Sequence, residues 1–136
     1  MKLLLTIILS VLCSPLFAQV PDSCGINNDA RLTAIEATFL NTYYAGIRKN
    51  FDFTDKKILF VTGTAATRIT GKTAYFKSIR SNWNPATNPV GGSGVDPLTV
   101  SEKKRSNGYD AVVYYWVKLI PPRGKQKIIE QAAAGL

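Results

Sequence analysis

The stretch ILFVTGTAATRITGKTAYF, residues 58–76, decides how the rest of the chain must be arranged. Ile58-Leu59-Phe60-Val61 is apolar at four consecutive positions, so neither alternate side can face water. A strand of that kind is covered on both faces, as in sheets flanked by helices. Thr62 to Gly71 then reads as a polar loop punctuated by two glycines. From Lys72 onward Phe76, Ile79 and Trp83 recur at helical spacing, so a helix is expected over 72–83. A buried strand, a loop and a helix in that order are one unit of an α/β domain, and the flanking sequence has to supply the other cover.

Upstream, Asn28 or Asp29 offers a helix cap, and Leu32, Ile35, Phe39, Tyr43 and Ile47 form a stripe directed at a core. Arg31, Asn41 and Arg48 face away from that stripe. Downstream, residues 84–97 carry three prolines and three glycines and read as a long surface loop. Leu98 to Val100 reads as a short strand, and Ser101 as the cap of a brief helix over Glu102 to Arg105 that Asn107-Gly108 ends. Ala111 to Leu119 is the second buried run, rich in β-branched and aromatic residues. Pro121-Pro122 stops it, and Lys125 to Ala134 closes the chain as a helix with Ile128, Ile129 and Ala132 inward.

Helices that alternate with strands favour parallel pairing through right-handed crossovers. The expected fold is therefore α/β: a small three-layer sandwich of three to four mostly parallel strands, with helices on both faces. The Tyr109-Asp110 entry into the second run resembles the way later strands of Rossmann-like or flavodoxin-like domains begin. That resemblance concerns element order alone.

The first eighteen residues carry one cation, Lys2, then an apolar stretch from Leu3 to Leu12, Pro15, and a Leu-Phe-Ala-Gln junction. This is the layout of a secretory signal peptide cleaved after Ala18, which predicts an exported, periplasmic or extracellular protein. Removing those eighteen residues from the 136 leaves 118, one domain over 28–136 behind a flexible leader at 19–27. No later segment reaches the ~20 apolar residues that a bilayer span requires. Cys13 leaves with the signal, so Cys24 has no intrachain partner and is either a free thiol or half of an intermolecular bridge.

The chain holds 17 Lys and Arg against 9 Asp and Glu, a net +8 that becomes +7 without Lys2. Such an excess favours acidic protein surfaces or phosphate- and carboxylate-bearing ligands. The aromatic residues fall mainly in the buried runs and are not interleaved with the cations, so nucleic acid is not the expected partner. The chain contains no histidine, which removes Ser-His and Cys-His nucleophilic schemes. Asp52 and Asp55 are the acids closest to a general acid–base pair, and in a turn of this kind they serve as caps. No metal site, cofactor site or catalytic set is expected.

Two motif resemblances lie on the opening stretch. Residues 66–73, ATRITGKT, resemble the relaxed phosphate-binding loop of P-loop proteins, which would put Lys72 on phosphate oxygens and the Thr73 hydroxyl on Mg²⁺. The loop departs from that pattern: Ala66 lies five residues beyond Val61, and bulky Ile69 stands where backbone must approach the ligand. Val61-Thr62-Gly63 followed by Ile69-Thr70-Gly71, together with Tyr114 and Lys118 and with Ser101 thirteen residues before Tyr114, resembles fragments of short-chain dehydrogenases. Here, however, Thr67 replaces the middle glycine, and the Tyr114–Lys118 segment is strand-like where that family needs a helix.

Two candidate surfaces follow. One is an anion site at the carboxyl end of the first strand, built from Gly63, Thr64, Thr67, Arg68, Thr70, Gly71, Lys72 and Thr73. The other is a basic contact surface of Lys103, Lys104, Arg105, Arg123, Lys125 and Lys127. The expected function is an exported, non-enzymatic binding or accessory protein of the cell envelope with a protein partner. The alternative is a small-molecule binder or enzyme with its site at 62–73.

Overall fold

The computed structural model describes residues 31–48, 50–63, 66–82, 92–117 and 120–135. The signal peptide, the leader, Cys24 and the caps expected at Asn28 and Asp29 lie outside them, as do Thr64, Trp83 and Lys118.

The first helix, α1, spans Ala34–Tyr43 and begins later than its apolar stripe suggests. Its cap is Thr33, whose hydroxyl accepts from the Glu36 amide while the Glu36 carboxylate accepts from the Thr33 amide at 2.9 Å. This reciprocal capping box satisfies two of the orphan donors at a helix start. The buried face is Glu36, Ala37 and Leu40, continued by Tyr44. The expected stripe is therefore rotated by one residue. Ile35 is 73% exposed and Ile47 is exposed as well, while Phe39 and Tyr43 pack at the margin of the core. The rotation has a chemical cause, because Glu36 is drawn inward by a lysine.

Strand β1, Ile58–Thr62, is buried at every position, as its unbroken apolar run requires. Burying each large side chain contributes ~1.5–3 kcal/mol, more than the ~1 kcal/mol net of a hydrogen bond. The apolar run, more than the ladder, therefore holds β1 in place. Helix α2, Lys72–Asn82, presents Tyr75, Phe76 and Ile79 to the core.

Gly94–Pro97 forms strand β2, although residues 84–97 read as one long loop. The segment is usable because of where its two punctuating residues fall. Gly94 sits against the Tyr114 ring, where an added Cβ would lie 2.3 Å from the phenol oxygen. Pro97 falls on the strand's free edge, where no ladder N–H is needed. The short strand expected over 98–100 is replaced by the start of helix α3, Val100–Arg105. Its cap is Thr99, paired with Glu102 in a second capping box, and not Ser101. Asn107 and Gly108, both at positive φ, turn the chain, and the Gly108 amide returns to the Lys103 carbonyl.

Strand β3, Ala111–Tyr115, is shorter than its apolar run because Trp116 adopts a φ of 64° and breaks the extension. Helix α4, Pro122–Ala133, starts earlier than expected. Pro121 and Pro122 end the strand and also open the helix, since a proline's fixed φ and missing N–H suit the first helical position. Ile128, Ile129 and Ala132 are buried as expected.

Among the described residues the three strands form one sheet in the order β1-β3-β2. β1 runs parallel to β3, with Ile58 opposite Ala111 and Thr62 opposite Tyr115. β2 runs antiparallel to β3, with Gly94 opposite Tyr114 and Pro97 opposite Ala111. Among the described residues the protein is thus a small α/β domain with a mixed sheet and four helices, which corrects the expected mostly parallel sheet. The reversal lies in β2, which α3 and a turn return alongside β3 as an antiparallel pair.

Alternation along the strands sorts their side chains into two apolar clusters. Ile58, Phe60, Ala111, Val113 and Tyr115 meet α1 and α2 through Leu40, Tyr44, Tyr75, Phe76 and Ile79. Leu59, Val61 and Val112 meet Ile128 and Ala132 of α4. Among the described residues no helix is long and apolar enough to cross a membrane.

Candidate functional site: the loop after β1 and the helix beneath it

Between Gly63 and Gly71, polar groups at both ends of the loop are turned inward. The Gly63 amide, at φ 67°, extends the β1–β3 ladder by donating to the Tyr115 carbonyl at 3.1 Å. At the far end, the amides of Thr70 and Gly71 both donate to the Phe60 carbonyl, at 2.8 and 3.3 Å. The Thr70 hydroxyl donates to that same carbonyl and accepts from the Thr62 hydroxyl at 3.1 Å. A phosphate cradle needs such amides directed outward, and here Thr70 and Gly71 are committed to β1.

Lys72 is committed too. Its ammonium donates to the Glu36 carboxylate and to the Arg31 carbonyl, each at 3.0 Å. The pair is nearly dry, with side chains 10% and 4% exposed for Lys72 and Glu36. The residue that gives the stretch its likeness to a P-loop therefore pins α2 to α1 and is not presented to a ligand. Thr73 is exposed in the first turn of α2.

The middle of the loop lies along α4. Gln131 clamps it with both ends of its amide: the oxygen accepts from the Ile69 amide at 3.0 Å, and the nitrogen donates to the Thr67 carbonyl at 2.8 Å. About two helical turns toward the N-terminus, Gly124 faces the Thr67 methyl, which an added Cβ would meet at 3.1 Å. Positions 124, 128 and 131 thus form the seat of the loop, at the i, i+4, i+7 spacing of one helix face. Arg123 and Lys127, exposed, flank that seat, and Arg68 rides on the loop itself. Arg68, assigned to an anion site, and Arg123 and Lys127, assigned to a basic surface, thus lie on two elements that the Gln131 clamp and Gly124 hold together.

The remaining basic residues divide by what they touch. Lys103 is ion-paired with Asp110. Lys125 bridges Asp96 at 3.3 Å and Glu102 at 3.2 Å. Arg105 donates to the Gln126 amide oxygen at 2.8 Å. Among the described residues Arg68, Lys104, Arg123 and Lys127 have no hydrogen-bonded or ion-paired partner, so their charge is available to another molecule. Burial works upward on Asp110, but the Lys103 ammonium and the Lys57 amide outweigh it and hold the carboxyl below its ordinary range. Glu102 behaves alike: burial raises it, and the Thr99 amide with Lys125 lowers it further.

Of the two acids considered for catalysis, Asp52 serves structure. Asp52 accepts from the Thr54 amide at 2.9 Å and from the Asn41 amide group at 3.1 Å, fixing the turn before β1. Its exposed carboxyl is lowered by the Thr54 amide first. Among the described residues no three metal-ligating side chains gather.

A polar cluster at the carboxyl end of the parallel pair was not foreseen from the sequence. The Tyr44 and Tyr75 hydroxyls are 2.6 Å apart, and Tyr44 reaches the Tyr114 carbonyl at 3.3 Å. Burial pushes both phenols well above their ordinary range, so they stay neutral. Beside them stands Trp116, 53% exposed. Nothing in the spacing of these tyrosines marks them as a group, because the end cap of α1, helix α2 and strand β3 contribute one each. By contrast, Thr33-x-x-Glu36 and Thr99-x-x-Glu102 are capping-box signatures that the sequence does display.

No curated protein and no solved structure matches the chain. One family model does, described as a domain of unknown function (DUF8192), over residues 28–133. That match takes in every strand and helix described above, and the chain belongs to this family.

Proposed function

We propose that the protein is an exported, non-enzymatic binding or accessory protein of the cell envelope, which meets an acidic protein surface through the ridge of Arg68, Arg123 and Lys127. The observation that carries this reading is the double clamp of Gln131 on the loop. It holds one uncommitted cation on the loop beside two on α4, while Lys72, Lys103 and Lys125 are engaged within the fold. Rim charges of this kind steer association and select partners by sign more than they supply affinity. The signal-like first eighteen residues support export, and the absence of histidine removes the commonest catalytic base.

Affinity purification from the native envelope, followed by mass spectrometry, tests the reading. The variant Arg68→Glu/Arg123→Glu/Lys127→Glu is expected to lose its partner while melting near the parent temperature. Gln131→Ala, which releases the loop, is expected to weaken capture by a smaller factor. Retention of every partner by the triple variant would refute the ridge. The competing reading places a phosphate- or carboxylate-bearing small molecule at 62–73, where Thr67 and Arg68 remain available but Thr70, Gly71 and Lys72 do not. It predicts a melting shift with millimolar anions that disappears in Arg68→Ala.

A further inference from the structure

Asn107-Gly108 is the one Asn-Gly pair in the chain. Both residues have positive φ, 63° and 88°, a conformation that asparagine and glycine tolerate better than other residues. The Lys57 ammonium donates to the Asn107 backbone carbonyl at 3.0 Å, and the Gly108 amide donates to the Lys103 carbonyl at 2.8 Å. The Asn107 side-chain nitrogen donates in turn to the carbonyls of Ala132 and Ala133, at 3.0 and 3.2 Å. Those carbonyls lie in the last turn of α4, where acceptors outnumber the donors that the helix itself supplies. The Gly135 amide shares the Ala132 carbonyl at 3.2 Å. Asn107 thus caps α4 from outside it, across 25 positions of sequence.

These two residue types in this order are also reactive toward each other. Glycine has no side chain to hinder attack by its own backbone nitrogen on the preceding asparagine. The Gly108 nitrogen gives up its proton and bonds to Asn107 Cγ. The bond from Cγ to the side-chain nitrogen breaks, and ammonia leaves with a proton. Water then opens the resulting succinimide at either carbonyl, leaving aspartate or isoaspartate. The balance is one water taken up and one ammonia released. Asn107 is exposed, so water reaches it.

In the folded protein neither reacting group is free. The N–H of the nucleophile is engaged by Lys103, and the amide to be attacked is held against α4. Fraying of the last turn of α4 withdraws both side-chain acceptors at once, so the reaction follows the frequency of that local opening. The product differs from the parent at the contact itself. A carboxylate donates nothing to the two carbonyls, and it sets a negative charge at the negative end of a helix.

We infer that Asn107 is a deamidation site gated by the last turn of α4, and that its conversion to aspartate or isoaspartate uncaps that turn irreversibly.

Peptide mapping by mass spectrometry, after incubation of the purified protein at mildly alkaline pH, tests the gate. Conversion at Asn107 is expected to be at least about tenfold slower in the folded protein than in the same chain held unfolded in urea. Ala133→Gly weakens the last turn at an exposed position and should speed conversion about fivefold, the equilibrium shift of a glycine for alanine in a helix. Lys77→Gly places a similar penalty at an exposed position of α2 and should leave the rate unchanged. Amide exchange reads the uncapping: in Asn107→Asp the Ala134 and Gly135 amides should exchange several-fold faster than in the parent, with the β3 amides unchanged. Equal conversion in the folded and unfolded chains, no acceleration by Ala133→Gly, or equal acceleration by both glycine variants overturns the gate. Unchanged exchange at Ala134 and Gly135 in Asn107→Asp overturns the uncapping.

Discussion

The two edges of the sheet are protected in opposite ways. β2 is blunted by its own brevity and proline and by one side chain from outside it. It is four residues long, its outward Val95 carbonyl accepts from the Arg48 guanidinium at 3.2 Å, and Pro97 brings no N–H to the edge. β1 is fully apolar in its side chains and has no proline or inward charge of its own. Its edge is managed by chain brought from elsewhere: Arg31 at Lys57, and Thr70 with Gly71 at the Phe60 carbonyl. Edge strands left bare template pairing with other chains, so every natural sheet needs one device or the other. The difference teaches that protection at β2 rests on a proline and a single side-chain contact and is cheap to lose, whereas protection at β1 depends on the tertiary contacts that hold a covering stretch of chain.

The buried Lys72–Glu36 pair is the most consequential of those contacts, because it ties α1, α2 and the entering chain at Arg31 together. Removing one partner strands the other charge in a dry site, which costs about 3–5 kcal/mol. Glu36→Gln and Lys72→Met are each expected to lose that much in urea denaturation, and Glu36→Gln more than a cap alone explains. The double variant Glu36→Leu/Lys72→Met removes both charges and should recover most of the loss, keeping only the missing cap, about 1 kcal/mol. If the double variant is as unstable as the singles, the pair acts through something other than its charge. The same measurement weighs the edges, since only the β1 side carries such a dependence.

This pair also shows why part of the molecule was legible in the sequence and part was not. The strands at 58–62 and 111–115 are announced by apolar runs, and α4 by its spacing, because burial on both faces leaves no other pattern. The face of α1 is displaced from its apolar stripe because Glu36, an acid outside that stripe, is buried. Whether Glu36 turns inward depends on a lysine 36 positions later, which no local period can encode. Gln131 was invisible for a related reason, since its two bonds close a distance of more than 60 residues to a loop. β2 was hidden by its own edge device: proline and glycine argue against a strand in general, yet they are suited to an edge. The reading of Lys72 as a phosphate ligand recognised a motif's residue types without the outward amides that give the motif its chemistry.

At the β2 edge the expected stability changes are smaller and the association changes are more telling. Pro97→Val restores an outward N–H, and Arg48→Ala uncovers the Val95 carbonyl. Each should cost about 1 kcal/mol or less. Together they leave a short strand with free donors and acceptors, and light scattering should report concentration-dependent association that the parent protein lacks. A monodisperse double variant would mean that four residues are too few to template pairing, whatever their hydrogen-bonding state.

Acid provides the mildest probe, because it acts where both edges are tied to β3. Asp110 opens the β1–β3 ladder and is paired with Lys103, and Glu102 holds Lys125 beside Asp96 of β2. Both carboxyls are lowered in the folded protein, so unfolding takes up protons as pH falls through this range. Their stabilising contribution is fully present above the ordinary carboxylate values, and it is lost as pH drops through the lowered folded ones. Because Lys103 is half exposed, the Asp110 pair is screened, and the combined effect should be on the order of 1 kcal/mol. Melting temperature measured between neutral pH and about pH 3 should therefore fall at the acid end, and raised salt should shrink the decline. Asp110→Asn keeps an acceptor for the Lys57 amide while removing the titration, so its acid limb should be flatter than the parent's. A parent and an Asn variant with superimposable acid limbs would place the acid sensitivity in other carboxylates and leave the β1–β3 junction indifferent to charge.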